Sequence, residues 1–179
     1  MAKAVIIYES IFGDNEKLAH AIRRGLEESM EVEIFDLESA PGQIPIDTDL
    51  LVVGGPTQAF GLTRPATRRD VPRYAPEKAV PESGIREWLG RLRKSVDRRV
   101  EAVAFGTNVN SPAWVRRMGA AARGIERRLS RRGYQIIEPA QVFLVADATG
   151  PLMPGEEERA RVWGQALGHR FLEPEMRPG

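Results

Sequence analysis

Ala4, Val5, Ile6, Ile7 and Tyr8 form an unbroken apolar run rich in β-branched residues. That is the pattern of a parallel strand buried on both faces. Glu9 to Asp14 then switches to turn chemistry around a single glycine, Gly13. From Leu18 the apolar positions recur at helical spacing, with Leu18, Ile22, Leu26 and Met30 on one face. The same alternation runs down the chain. Val32–Asp36 is a second strand, and 40–47 is a loop punctuated by Pro41, Gly42 and Pro45. Asp49–Gly54 is a third strand that runs into the glycine-bounded loop 55–61. Leu62–Ser83 carries four prolines and room for one short helical turn, Pro65–Asp70, because proline suits the first helical position. Ile85, Trp88, Leu89 and Leu92 mark a helix, and Val100–Phe105 a fourth strand followed by a polar loop over 106–112. Val115, Met118, Ala122, Ile125 and Leu129 mark a long helix with Arg116, Arg123, Arg127 and Arg131 outward and Gly133 as its C′ residue. Tyr134–Ala146 holds the last strand, broken or bent at Pro139. Glu156–Phe171 is the closing helix, with Ala160, Trp163, Leu167 and Phe171 inward and three glutamates in its first turn.

Five strands alternating with helices predict a doubly wound parallel sheet covered on both faces. Such a sheet takes ligands beyond the carboxyl ends of its strands, where the strand order switches. Loops 9–15, 55–61 and 106–112 all belong to that edge. The first joins the carboxyl end of a strand to the amino end of a helix, where unpaired N–H groups and the helix dipole favour an anion. A length of 179 residues suits one domain, 1–172, with a frayed tail over 173–179.

Composition removes several classes of function. There is no cysteine, hence no disulfide, thiolate metal site or cysteine nucleophile. No window nears eighteen unbroken apolar residues, so no membrane span is expected. Met1–Ala4 leads straight into a strand and leaves no room for a signal peptide, so a cytoplasmic protein is expected. The net charge of +1 conceals an asymmetry: 4 basic and 11 acidic side chains in 1–62, 18 and 7 in 63–134, and 4 and 7 in 135–179. The basic middle is read as a solvated face that could meet an acidic partner.

Known ligand motifs narrow the choice further. The first turn has one glycine, so it lacks the G-x-G-x-x-G of a dinucleotide fold, and no P-loop is present. The third strand ends Val53-Gly54-Gly55-Pro56, without the aspartate of a phospho-accepting receiver. His20 and His169, the only histidines, fall on helices and are expected at the surface.

What remains is a mononucleotide site built from loops. Ser10-x-x-Gly13-x-Asn15 followed by Glu16 resembles the flavodoxin phosphate loop, Ser/Thr-x-Thr-Gly-x-Thr followed by Glu. Tyr8–Gly13 and Leu51–Gly61 also resemble flavodoxin-domain proteins common in actinobacteria, and Ala104-Phe105-Gly106 ends its strand as flavodoxins do. The resemblance covers nearly the whole chain. It implies a flavodoxin-like α/β fold with strand order 2-1-3-4-5, and one non-covalent FMN. Its phosphate would lie among Ser10, Ile11, Phe12, Gly13, Asp14 and Asn15. Its ring would lie between Pro56, Thr57, Gln58, Ala59, Phe60 and Gly61 on one side and Gly106, Thr107 and Asn108 on the other.

The residues themselves fit in part. Ser10 can donate a hydroxyl, Gly13 lets backbone approach closely, and Asn15 can donate an amide. Phe60, Phe12, Tyr74 or Trp114 could pack on a flat ring. Three features depart from the family's pattern. A carboxylate on Asp14, about 6 Å from a phosphate, would oppose binding by about 1–4 kcal/mol, unless it points outward or serves as a helix N-cap. The loop over 106–112 has no tyrosine, and the chain lacks the strong acidity usual in flavodoxins. Two functions stay open on this reading. One is an FMN protein that passes electrons to a redox partner protein or reduces a small acceptor, whether as a shuttle or as an FMN-dependent oxidoreductase. The other is a flavodoxin fold without FMN that docks a partner through its arginine-rich face. Nucleic-acid binding through 116–132 is the weakest alternative.

Overall fold

The computed structural model describes residues 1–57, 62–74, 76, 82–95, 100–110 and 120–172. Its elements are β1 (Lys3–Tyr8), α1 (Asp14–Leu26), β2 (Glu31–Asp36), β3 (Leu50–Pro56), α2 (Pro65–Arg68), α3 (Val71–Tyr74), α4 (Ile85–Arg91), β4 (Glu101–Val109), α5 (Ala120–Arg131), β5 (Gln135–Ile136), β6 (Gln141–Val145) and α6 (Glu156–His169). The sheet is parallel throughout, in the order β2-β1-β3-β4-β5. β6 also pairs with β4 in parallel, so β5 and β6 are two halves of one last strand. The break falls between Ile136 and Gln141, around Pro139, which has no N–H to give to a ladder.

The apolar runs are continuous because each strand feeds two cores, its side chains alternating between faces. Val5, Ile7, Leu51, Val53, Ala102 and Ala104 pack with Trp88 and Leu89 of α4 and with Ile125 and Leu129 of α5. Ala4, Ile6, Leu50, Val52, Val103 and Phe105 pack with Leu18, Ile22 and Leu26 of α1 and with Ala160 and Leu167 of α6. α1 and α6 lie so close that a Cβ on Gly164 would collide with the backbone at Ile22, and one on Gly25 with the backbone of Arg161. Among the described residues, no helix is long and apolar enough to cross a membrane.

The carboxyl edge of the sheet is stepped. β1 ends at Tyr8 opposite Gly54, while β3 continues through Gly55 and Pro56. β4 continues further, to Val109 opposite Val145. The sequence places a loop from Gly106 onward; instead residues 106–109 extend β4. The cause is β6, whose Gln141–Val145 pair with Phe105–Val109 and carry the ladder past the point where the apolar run ends. The turn 9–13 follows β1 beside the longer end of β3, where the Glu9 N–H donates to the Gly54 carbonyl (3.0 Å).

Candidate functional site

The turn after β1 is shaped by one backbone conformation. Gly13 sits at φ +96° and is the N-cap residue of α1. L-residues avoid that region, so glycine is the residue the turn requires. Its N–H donates to Ser10 Oγ (3.1 Å), which leaves the Ser10 hydroxyl proton for another acceptor. No side chain caps α1. The first N–H groups of a helix have no partner within it, and together they form the positive end of its dipole. Among the described residues, nothing lies within 4 Å of the point a Cβ on Gly13 would occupy.

Asn15, in the first turn of α1, is 2% exposed. Its Nδ2 donates to Thr107 Oγ1 at 3.4 Å, a long contact that ties the first loop to β4. Its Oδ1 is buried with no partner among the described residues. Turning the amide over lets Oδ1 accept the Thr107 hydroxyl and leaves the NH2 as a buried, unpaired donor. An anion in the turn would take that donor.

Asp14 is the first residue inside α1, not its N-cap; Gly13 holds that position, which corrects the capping alternative read from the sequence. The Asp14 side chain is buried against Gly150, where a Cβ would strike its carboxylate. Gly150 has φ +95°, so glycine there serves both space and conformation. Burial pushes the Asp14 carboxyl above its usual range, against the opposing pull of Lys17 and the backbone N–H of Leu152. The carboxylate thus lies against Gly150, and Asp14 lines neither of the two cavities beside the turn.

Those two cavities differ in character. One, of about 200 Å³, is lined by Phe12, Thr57, Thr67, Asp70, Val71, Tyr74, Ala148 and Thr149. It joins the first loop, the end of β3, α2–α3 and the segment after β6. The other, of about 230 Å³, opens on the β2 side and is bordered by Glu9, Glu16, Asp36 and Glu38. Ser10 and Ile11 of the turn line this acidic cavity, whereas Phe12 lines the first, which carries a single carboxylate, Asp70.

Of the residues singled out from sequence, the structure brings Ser10, Ile11, Phe12, Gly13, Asp14 and Asn15 together with Thr57 and Thr107 at one edge. Pro56 is the last residue of β3, paired with Thr107 and buried. Gly106 is wedged against the Gly55 carbonyl and the backbone at Ala122. Thr107 and Asn108 are buried strand residues. Gln58, Ala59, Phe60 and Gly61 lie outside the described residues, as do Trp114, Val115, Arg116, Met118 and the tail 173–179. His20 is half-buried, edge-on to Tyr8 at 6.4 Å, and His169 is exposed.

Sequence reasoning missed three groups. Thr67, Asp70 and Val71 reach the cavity from α2 and α3, in a connection with no periodic pattern. Ala148 and Thr149 could have been found, because in a parallel sheet the loop after the last strand opens at the same edge as the other three. The third is Glu9, 4% exposed, whose carboxylate accepts Thr63 Oγ1 on both oxygens (2.8 Å each) and the N–H of Ile85 (3.0 Å). It pins both ends of the 62–84 connection beside buried Arg68, which pairs with Glu87 at 3.1 Å. Burial raises the Glu9 carboxyl above its usual range, and the bonds from Ile85 and Thr63 and the charge of Arg68 only partly offset this.

Known proteins place this arrangement. The fold is that of flavodoxin 2 from Bacillus cereus, 17% identical, with a TM-score of 0.67 over 95% of this chain and 100% of that one. An archaeal flavodoxin is 15% identical, with a TM-score of 0.62 over 96% and 99%. A flavodoxin from Streptococcus pneumoniae is 13% identical, with a TM-score of 0.61 over 94% and 99%. No curated protein sequence matches the chain. The flavodoxin family model matches residues 6–163, which span both halves of the sheet and every loop at its carboxyl edge. The chain belongs to the flavodoxin family, whose members hold a flavin.

Proposed function

We propose that this protein binds one FMN at the carboxyl edge of its sheet and passes electrons between redox partners or to a small acceptor. The flavin, when bound, supplies the redox chemistry, taking up and releasing electrons. The protein's part is to hold and orient it. The Ser10 hydroxyl, the free N–H groups at the start of α1 and the Asn15 amide would hold the phosphate. Phe12, Thr57 and Tyr74 line the adjoining cavity and would contact the flat part of the molecule. Pro56, Gln58, Ala59, Phe60, Gly61, Gly106, Thr107 and Asn108 complete the proposed set.

One observation carries this reading. The residue that argues against a phosphate in this turn, Asp14, has its carboxylate packed against Gly150, while the buried amide of Asn15 keeps an orphaned atom among the described residues. The test is direct. The protein is purified without added cofactor, its visible spectrum is recorded, and any released flavin is identified by chromatography. One FMN per chain, either as isolated or after incubation with FMN, is expected. A colourless protein that retains no FMN after incubation would overturn the proposal. Mixing the FMN form anaerobically with NADH or NADPH then separates an oxidoreductase, whose flavin bleaches, from a carrier, whose flavin does not.

A further inference from the structure

The arginines of this protein divide into two populations. On the α1–α6 face each has a carboxylate partner: Arg23 with Glu27, Arg24 with Glu157, Arg159 with Glu156, Arg161 with Glu28 and Glu158, and Arg170 with Glu138. On the opposite face none of Arg64, Arg86, Arg123, Arg127, Arg128 and Arg131 has an ion-pair partner among the described residues. Two carboxylates nearby are occupied elsewhere. Glu87 holds Arg68 and the N–H of Gly84, and Glu126 accepts the N–H of Ala140.

The six form one patch. Leu62 and the Arg128 guanidinium both lie against Gly124 of α5, which seats the start of the 62–64 segment on that helix. Arg86 projects from the first turn of α4, with its Nε buried and unpartnered. Arg123, Arg127 and Arg131 repeat every four residues along the exposed side of α5, a row about 12 Å long. Burial, and then the charges of Arg86, Arg127, Arg131 and Arg64, lower the proton affinity of Arg128. Like charges gathered without counter-charge cost stability, and a partner's carboxylates would relieve that cost.

We propose that this face docks a protein that presents a dense set of carboxylates. The bases of a single-stranded nucleic acid would need a stacking platform, and no aromatic side chain is exposed on α4 or α5 among the described residues. Arg64 lies just beyond the 57–61 loop, so a partner seated here adjoins the proposed flavin. That adjacency rests on the flavin reading; the docking itself does not.

The test needs no flavin. A fluorescently labelled helical peptide with glutamate at every fourth position is titrated at low salt and followed by anisotropy. The wild-type chain is expected to bind it saturably, with affinity falling as salt rises. R123Q/R127Q/R131Q should weaken binding roughly tenfold or more, while R24Q/R161Q on the opposite face should change it less than about twofold. The three α5 positions are exposed, so the variant keeps its fold, which circular dichroism checks. Absence of saturable binding, an equal loss in both variants, or tighter binding of a short DNA duplex than of the peptide at the same salt would each overturn the proposal. Because apo protein suffices, a chain that fails to take FMN leaves this result standing on its own.

Discussion

A carboxylate at the first position of α1 would repel a phosphate in the preceding turn, yet Asp14 is drawn off against Gly150 and the N–H of Leu152. Asp14→Asn should therefore change FMN affinity by no more than about threefold, read by flavin fluorescence; a tenfold or greater gain would mean that the charge faces the phosphate after all. Asn15→Ala removes the donor proposed for the phosphate, and should weaken FMN by roughly tenfold or more, beyond any loss of stability from the Thr107 contact. An unchanged affinity would remove Asn15 from the site. Glu9 carries a pH signature. Its carboxyl stands above the ordinary 4.5 because of burial, so between 4.5 and that raised value the folded chain holds more protons than the unfolded one. The stability this group contributes is complete below about 4.5 and is lost as pH rises through the folded pKa. The melting temperature of the wild type minus that of Glu9→Gln should thus shrink as pH climbs from 4.5 to 8. A difference that widens would contradict the assignment. The turn itself, with Ser10, Gly13 and Asn15, was legible in the sequence from residue types alone. Where the Asp14 side chain points was not, because its partners lie more than 130 residues away.

At the scale of elements, β1, β3 and the first half of β4 were legible because they are buried on both faces, which forces an unbroken apolar run. Their ends were less so. β4 outlasts its apolar run because β6 pairs with polar Thr107 and Asn108, and no local pattern reports a partner strand. The turn Pro65–Asp70 was read from its proline, whereas α3 after it left no periodic trace and brings Val71 and Tyr74 to the cavity. The α1–α6 crossing rests on glycines whose role appears only when the two helices meet. A methyl at Gly164 would strike the backbone at Ile22. Overpacking of this kind costs about 1–3 kcal/mol, so Gly164→Ala should lower the melting temperature by about 2–12 °C in a chain of this size. An unchanged melt would show that the two helices can move apart at no cost.

For the whole molecule, a parallel sheet with a core on each face follows from the alternation of strands and helices, whereas the strand order 2-1-3-4-5 was implied by the family resemblance. The charge map does not follow from sequence in the same way. The basic middle was visible as a count, but that α1–α6 arginines are neutralised across the chain, as in Arg24–Glu157, while those of α4–α5 are not, depends on which helices become neighbours. The central claim remains the flavin, and one titration tests it most directly: purified apo protein into FMN, followed by quenching of flavin fluorescence. Saturable one-to-one quenching at micromolar FMN or below is the expected result. Fluorescence that stays linear in FMN at high protein concentration would contradict the account and leave a flavodoxin fold that works without its cofactor.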